Sequence, residues 1–397
     1  MNVLCLFQIF DFSSSTIYLD LVNELKDRGH KVMISACTSD PGKDGKKEES
    51  KGIECGFVYV PDQFNAGKIK KGLIQLSIGK KLLRGVKMHF WDEKVDIIIY
   101  PTPPVTLAGI LKPLKSHYGA LNYLMLKDIF PQNAVDLKMM REGSILHKVF
   151  RSIEGKLYRD SDVIGCMSEG NISYINEHNP SVSGKTELFP NTVKIIEETK
   201  DPGKEDNKGP LHFIFGGNLG KPQGIDFLLE MIKEYKNSDK FCFTFIGSGT
   251  EEGRVRNFIE REKPDNLMLI DKLPRREYEE LLKDADLGII SLSPDFTIPN
   301  FPSRLLSYMQ LSKPVLAVTD RVTDIRTVIE KEAKCGYWCP SGDKEEFRKT
   351  LEKILSERQL LTEYGANGRR YLKECYNVER SVNILERAVS EYERRNI

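Results

Sequence analysis

The stretch Phe213-Ile-Phe-Gly-Gly-Asn-Leu-Gly-Lys-Pro-Gln-Gly224 decides how this chain is read. Its apolar opening has the length of a strand. Gly216 and Gly217 end that run, and a polar hinge with one cation, Lys221, leads into a helical pattern over Ile225–Tyr235. A strand that ends in glycines and turns into a helix brings backbone N–H groups within reach of phosphate. One such loop is a weak signal. A second stretch in the same half, Pro302-Ser-Arg-Leu-Leu-Ser-Tyr-Met309, strengthens it. There Ser303 reads as the N-cap of a helix that opens with Arg304 in its first turn. Two cations on two loops of one α/β half would suit a ligand with concentrated negative charge, such as a diphosphate. The plainer alternative is a pair of solvated surface cations.

Working outward, strand-like runs alternate with helical patterns. The first half has Val3–Phe7, Val32–Ala36, Val95–Tyr100, Ala120–Leu126 and Asp162–Met167. The second half has Leu211–Phe215, Phe241–Ile246, Leu267–Ile270, Leu287–Leu292 and Pro314–Val318. Such alternation predicts an α/β chain with one parallel sheet per half. The charged, apolar-poor stretch 197–210 reads as the linker between domains at 1–196 and 211–377, and 378–397 as a terminal helix. In the second domain the turns Gly216–Gly224, Gly247-Ser248-Gly249, Asp271–Pro274 and Ser293–Ser303 fall at one end of the sheet, where open α/β sheets bind ligands.

In the first half, Ser13-Ser14-Ser15-Thr16 supplies capping hydroxyls. Tyr18, Leu21, Val22 and Leu25 then follow helical spacing up to Gly29. Ser14 and Ser15 are candidates to face a ligand there. Pro41–Gly52 reads as a surface loop. Phe64–Trp91 carries seven cations and no acid. Ile69, Leu73, Leu76, Leu83, Val86 and Phe90 lie near one helical face, and Gly72, Gly79 and Gly85 predict breaks in it. It reads either as an anionic-membrane contact or as an ordinary surface helix. Lys127 and Asp128 follow a buried run and sit at a ligand-binding edge, although Asp128 also suits a turn cap before Pro131. Ile145–Arg159 predicts a basic helix with Val149, Ile153 and Leu157 on its inner face. The pairs Asp160/Asp162 and Asp284/Asp286 precede strands, so they read as structural.

The chain has 397 residues, 40% of them hydrophobic, with formal charge +1, which fits a soluble globular protein and gives no reason to expect nucleic acid. Its eight cysteines lie mostly in apolar runs, and neither they nor the six histidines show metal-site spacing. No leader pattern opens the sequence and no apolar run reaches membrane-spanning length. The expected location is cytoplasmic, with the basic segment as a means of peripheral attachment at the inner face of the cell membrane.

Four stretches carry a family resemblance. They are Asp20-Leu-Val-Asn-Glu-Leu-Lys-Asp-Arg-Gly-His-Lys-Val32, Lys127-Asp-Ile-Phe-Pro-Gln-Asn-Ala-Val-Asp136, Gly217-Asn-Leu-Gly-Lys-Pro-Gln-Gly224, and Pro302-Ser-Arg-Leu-Leu-Ser-Tyr-Met309 with Lys313-Pro-Val-Leu-Ala317. Through them the chain resembles family 4 of the retaining GT-B glycosyltransferases, in particular members that build bacterial surface polysaccharides. The resemblance implies two Rossmann-like domains facing across a cleft, with the acceptor on the first and a nucleotide sugar on the second. It implies transfer of a hexose or N-acetylhexosamine from a nucleotide diphosphate, with UDP expected. The acceptor is expected to be a growing or polyprenyl-diphosphate-linked glycan, and anomeric configuration to be retained without metal or other cofactor.

By position, the resemblance gives Lys221 and Arg304 the diphosphate and places Gly217, Asn218, Gly220, Gly247, Pro302 and Ser303 around it. It brings the backbone of Leu273 to the base, Ser307 to the ribose and Asp128 to the sugar. Lys127, Ser14 and Ser15 fall on the acceptor side. The chain departs from the pattern at Pro299 and Ser307, where many members carry glutamates, at Lys127, where histidine or arginine is common, and at Ser312, where glycine is usual. A non-catalytic partner subunit that binds glycan or stabilises an active transferase is the rival expectation.

Overall fold

The computed structural model describes residues 1–13, 16–61, 68–197 and 209–396. The chain divides into two compact units, Met1–Lys194 with Val378–Ile397, and Ile195–Asn377. Ser14 and Ser15, the start of Phe64–Trp91 and most of 197–210 lie outside the described residues.

In the first unit the described strands are β1 (Asn2–Phe7), β2 (Lys31–Thr38), β3 (Lys47–Ser50), β4 (Ile53–Tyr59), β5 (Ile97–Pro101), β6 (Leu121–Leu126), β7 (Val163–Cys166) and β8 (Thr186–Leu188). They form one sheet in the order β3-β4-β2-β1-β5-β6-β7-β8. All neighbours are parallel except β3 and β4. The central strands are buried along their length because helices cover both faces. The helix Ile17–Asp27 is capped by Thr16, whose side chain accepts from the Leu19 N–H, and buries Leu21, Val22 and Leu25. Beside it runs the terminal helix Val378–Asn396. Val378, Val382, Leu385 and Val389 enter the same core as Val3, Leu21 and Ile34. Arg28 and His30 fix that helix through Glu386, at 3.3 and 2.8 Å.

Three expectations are corrected in this unit. Pro41–Gly52 is not only loop, since Lys47–Ser50 forms an antiparallel edge strand against β4. Its charged side chains hid it, yet charge is what a solvent-facing edge favours. The basic helix is continuous over Lys68–His89 despite its glycines. Gly79 and Gly85 let it approach its neighbours instead: a Cβ at Gly79 would lie 2.7 Å from the Thr106 carbonyl oxygen, and one at Gly85 2.6 Å from Ser35 Oγ. The buried stripe is Ile74, Ile78, Leu82, Val86 and Phe90: Val86 and Phe90 are buried as expected, Leu76 is exposed and Leu83 half-buried, and the side chains of Ile69 and Leu73 lie outside the described residues. In the helix Ile145–Asp160 the buried positions are Glu154, Leu157 and Tyr158, while Val149 faces outward.

The second unit is one described sheet, with β9 (Leu211–Gly216), β10 (Phe241–Ile246), β11 (Leu267–Ile270), β12 (Leu287–Ser291), β13 (Val315–Thr319) and β14 (Gly336–Pro340). Its order is β11-β10-β9-β12-β13-β14, parallel throughout. This is the doubly wound order, in which the direction of winding reverses between β9 and β12. The core is rich in phenylalanine: Phe213, Phe215, Phe243 and Phe245 are buried together with Leu228, Met231 and Phe347. Sequence reading had no strand at β14, since Gly336-Tyr-Trp-Cys-Pro340 is short and begins and ends with strand breakers. Gly336 is required there because a Cβ would lie 2.0 Å from the Val315 carbonyl oxygen on the neighbouring strand.

Candidate functional site: the carboxyl edges of the two sheets

In the second unit the loops after β9 and β12 flank the place where winding reverses, and the glycines there serve close packing. Gly217 has φ 123° and Gly247 φ 146°. A Cβ on Gly247 would lie 1.8 Å from the Gly217 carbonyl oxygen, so the loops after β9 and β10 touch backbone to backbone. The Gly217 and Leu219 N–H groups donate to the Ile246 and Ser248 carbonyls at 2.8 and 2.9 Å. Asn218 is exposed at this seam, with its Oδ1 2.6 Å from where a Gly249 Cβ would stand. Gln223 Oε1 accepts from the Gly220 N–H at 3.1 Å and closes the short turn Lys221–Gln223. This turn is tied to the loop after β12: the Ser293 N–H donates to the Pro222 carbonyl at 2.8 Å, and Ser291 Oγ to the Gln223 carbonyl at 2.6 Å.

Arg304 is brought to this seam. Its guanidinium carbon lies 4.3 Å from the centroid of the Phe215 ring, and its Nη2 is 3.4 Å from the position of a Gly217 Cβ. The guanidinium rests on the last aromatic of β9 and points across the glycine that follows. Its Nη1 is buried with no hydrogen-bond partner. Burial lowers its pKa from the ordinary arginine value, with Tyr308 and Tyr278 acting in the opposite direction. An arginine nitrogen without a partner in a glycine-walled corner is poised for an anionic oxygen, because leaving such a donor unpaired is costly.

Two tyrosines form the floor. A Cβ on Gly216 would lie 2.2 Å from the Tyr278 ring, and one on Gly288 2.4 Å from the Tyr308 ring. Tyr308 hydroxyl donates to the Ile289 carbonyl at 2.9 Å and is paired with the Tyr278 hydroxyl. Phe215, Tyr278 and Tyr308 were missed in the sequence reading. Each lies on a pattern that looks like ordinary core, and only the glycine opposite each tyrosine hinted at a fitted ring.

Lys221 is exposed, and no carboxylate pairs with it among the described residues. Leu273 is half-buried in the stretch after β11, at the same edge of the sheet and two strands from β9. Pro302 and Ser307 are half-buried around the helix Arg304–Gln310. Ser303 is exposed and helical in its own backbone, φ −63° and ψ −19°, and makes no side-chain cap hydrogen bond. The predicted capping role is therefore corrected: the helical turn already includes Ser303, so its hydroxyl is not placed to accept from the first N–H groups.

In the first unit Lys127 and Asp128 stand at the carboxyl end of β6. Thr102, buried at the end of β5, holds them: its Oγ1 accepts from the Lys127 and Asp128 N–H groups at 3.1 and 3.2 Å and donates to the Asp128 carbonyl at 3.0 Å. Asp128 Oδ1 accepts from Asn133 Nδ2 at 2.8 Å. Burial raises the Asp128 pKa to about 6, against the Asn133 hydrogen bond. Burial lowers Lys127 to about 7, while its Nζ sits 5.3 Å from the Phe189 ring centroid. A small cavity beside Lys127 is lined by Tyr18, Phe189, Asn191, Thr192 and Ser381. Perturbed groups at a sheet edge mark a functional candidate. Asp160/Asp162 and Asp284/Asp286 lie elsewhere, and Asp162 and Asp286 accept from the Asn122 and His212 N–H groups. No group of three His, Cys, Asp or Glu able to hold a metal occurs among the described residues.

Comparison with known proteins follows the same lines. Residues 196–371 match the family model described as glycosyl transferases group 1. The chain is 26% identical over 295 residues, 72% of either chain, to the probable glycosyltransferase WbjE of Pseudomonas aeruginosa. Among solved structures, it superposes on Anabaena HepE in complex with UDP with a TM-score of 0.68 and 13% identity, covering 98% of this chain and 100% of the other. It superposes on WaaG, a glycosyltransferase involved in lipopolysaccharide biosynthesis, with a TM-score of 0.64 and 15% identity, covering 97% and 99%.

Proposed function

We propose, starting from the fact that this chain is a group 1 glycosyltransferase of the retaining GT-B kind, that it moves a hexose or N-acetylhexosamine from a UDP-sugar to a lipid-linked or growing surface glycan. The observation that carries the donor half of this reading is Arg304, stacked on Phe215 over Gly217 with Nη1 buried and unpartnered. A diphosphate oxygen supplies the acceptor that nitrogen lacks. Lys221, exposed on the adjoining turn, adds the second positive charge. Together they stabilise the leaving diphosphate as its charge grows. Asn218, exposed beside the close-packed Gly220 and Gly247, lies along the phosphates, and Leu273 presents its backbone to the base.

In the mechanism we favour, the acceptor hydroxyl attacks the anomeric carbon on the face the diphosphate leaves. The bond from the anomeric carbon to the phosphate oxygen breaks as the new glycosidic bond forms, and the hydroxyl proton passes to a phosphate oxygen. The sugar configuration is retained and no protein nucleophile is needed. Asp128 orients the transferring sugar and Lys127 the acceptor. UDP as carrier is supported by its presence with HepE, and a surface glycan by the role stated for WaaG. Exposed Lys80, Arg84 and Lys87 on the basic helix attract the chain to an anionic membrane surface.

Calorimetry with UDP and assays of UDP-sugar hydrolysis test the reading. Wild-type protein should bind UDP, and Arg304→Ala should weaken binding about 30-fold or more, as expected for a buried charged hydrogen bond. Lys221→Ala, at an exposed site, should cost less, about tenfold. The rival, a non-catalytic subunit, draws on Ser307, which offers the ribose a hydroxyl where a carboxylate is usual. Absence of UDP binding would favour that rival.

A further inference from the structure

The loop and helix that follow Asp128 show an apolar surface that the reaction does not use. Met139, Ile145, Leu146 and Val149 are 69, 85, 56 and 48% exposed. They fall within eleven residues, whereas the other exposed large apolar residues among those described are scattered along the chain. Ile145, Leu146 and Val149 lie exposed in the first turns of the helix Ile145–Asp160, whereas Glu154, Leu157 and Tyr158, further along it, enter the core. Lys138, Arg141 and Lys148 are exposed within the same stretch, against one exposed acid, Glu142, and Lys156 and Arg159 are exposed further along the helix. An apolar centre within a cationic rim complements a surface that is apolar beneath and anionic above.

We infer that this patch seats the first unit on an anionic lipid bilayer, with Ile145, Leu146, Val149 and Met139 entering the headgroup boundary. The inference rests on the reading of the chain as a transferase with a lipid-carried acceptor, and it deepens that reading by naming the surface. It also differs from the expectation placed on the basic helix. There Ile74, Ile78, Leu82, Val86 and Phe90 are buried in the unit's own core, and among the described side chains of that helix Leu76 and Met88 are the large apolar ones left exposed, so its described part attracts lipid mainly by charge. Both helices pack against the segment Val105–Gly109.

The patch is also joined to the candidate site. Phe130, two residues beyond Asp128, meets Phe150 edge to face at 4.9 Å, and Phe150 follows Val149 on the helix. Asn133, which donates to Asp128, lies in the short helix Gln132–Asp136 that leads to Met139. A bilayer held at Ile145–Val149 therefore lies one aromatic contact from the loop that carries Asp128. A glycan carried on a membrane lipid would be presented at that loop without leaving its bilayer.

Co-sedimentation with vesicles of phosphatidylglycerol and phosphatidylethanolamine, compared with pure phosphatidylcholine vesicles, tests this. Wild-type protein should bind the anionic vesicles. The triple variant Ile145→Ser/Leu146→Ser/Val149→Ser should bind at least about tenfold more weakly, since each side chain removed takes apolar area out of the boundary. Arg141→Glu/Lys148→Glu should remove the preference for anionic over neutral vesicles. All these side chains are exposed, and unchanged thermal unfolding will confirm that the variants fold. Equal vesicle binding by the triple variant and wild type would overturn the inference. So would a wild-type dimer that the triple variant converts to monomer, because the patch would then be a protein interface. UDP binding measured on the same samples separates the two claims: its absence would sink the donor reading, whereas the vesicle result alone decides the patch.

Discussion

At the scale of single residues, Lys127 and Asp128 are neighbours with opposite burdens. Asp128 titrates near 6 in the folded chain, above the unfolded carboxylate, so the unfolded state ionises first as pH rises from 4 to 6. Stability falls across that window, and the full cost stands above pH 6. Lys127 titrates near 7, below the unfolded amine, so the unfolded state holds more protons between pH 7 and 10.5. Stability rises with pH across that window, and the full cost stands below pH 7. Thermal melts from pH 4 to 10 should therefore show mirror-image effects. Asp128→Asn should stabilise by about 2 kcal/mol above pH 6 and by little near pH 4, while Lys127→Met should stabilise by about 2 kcal/mol below pH 7 and lose that gain toward pH 10. Parallel curves for both variants would show that neither group carries this cost. Both residues were legible in the sequence as polar groups after a buried strand. Their shifted acidity was not, because it comes from burial, which depends on how the folded loop packs around them.

At the scale of elements, the second unit was the more readable half. Alternating apolar runs and glycine-ended turns mark β9, β10 and β12 because each strand is buried on both faces. The β3 edge strand and the register of the basic helix were hidden for the opposite reason. Charged side chains suit a solvent-facing edge, and seven cations leave the helical face ambiguous until the helix finds its neighbours. The candidate corner of Gly217 and Arg304 was half visible. Arg304 could be picked out by type and position, but its platform, Phe215, reads as core and Ser303 reads as a cap it does not provide. The seam itself makes a sharp prediction. Gly247→Ala puts a methyl carbon 1.8 Å from the Gly217 carbonyl oxygen at φ 146°, so denaturant unfolding should show a loss of about 3 kcal/mol or more. Gly109→Ala is the control. A Cβ there meets nothing within 4 Å, and stability should stay within about 0.5 kcal/mol of wild type.

At the scale of the whole molecule, the first unit is built from both ends of the chain. The Val378 N–H donates to the Val193 carbonyl at 3.0 Å where the returning segment joins, and Val382, Ile384, Leu385 and Val389 complete the core around Val3 and Ile34. Ending the chain after Asn377 removes those side chains and leaves their cavity open. The expected loss is roughly 5–10 kcal/mol, comparable to the stability of a whole domain. Calorimetry of the shortened chain should show the unfolding transition of the second unit retained and that of the first lowered or missing. Two intact transitions would mean that the last helix contributes little. The same arrangement sets an order of events during translation. The second unit, Ile195–Asn377, is continuous in sequence and can fold as soon as it clears the ribosome. The first unit, although synthesised earlier, must wait for the final twenty residues. Its half-built sheet therefore spends most of the synthesis time exposed, which makes the first-made strands the ones most in need of chaperone protection.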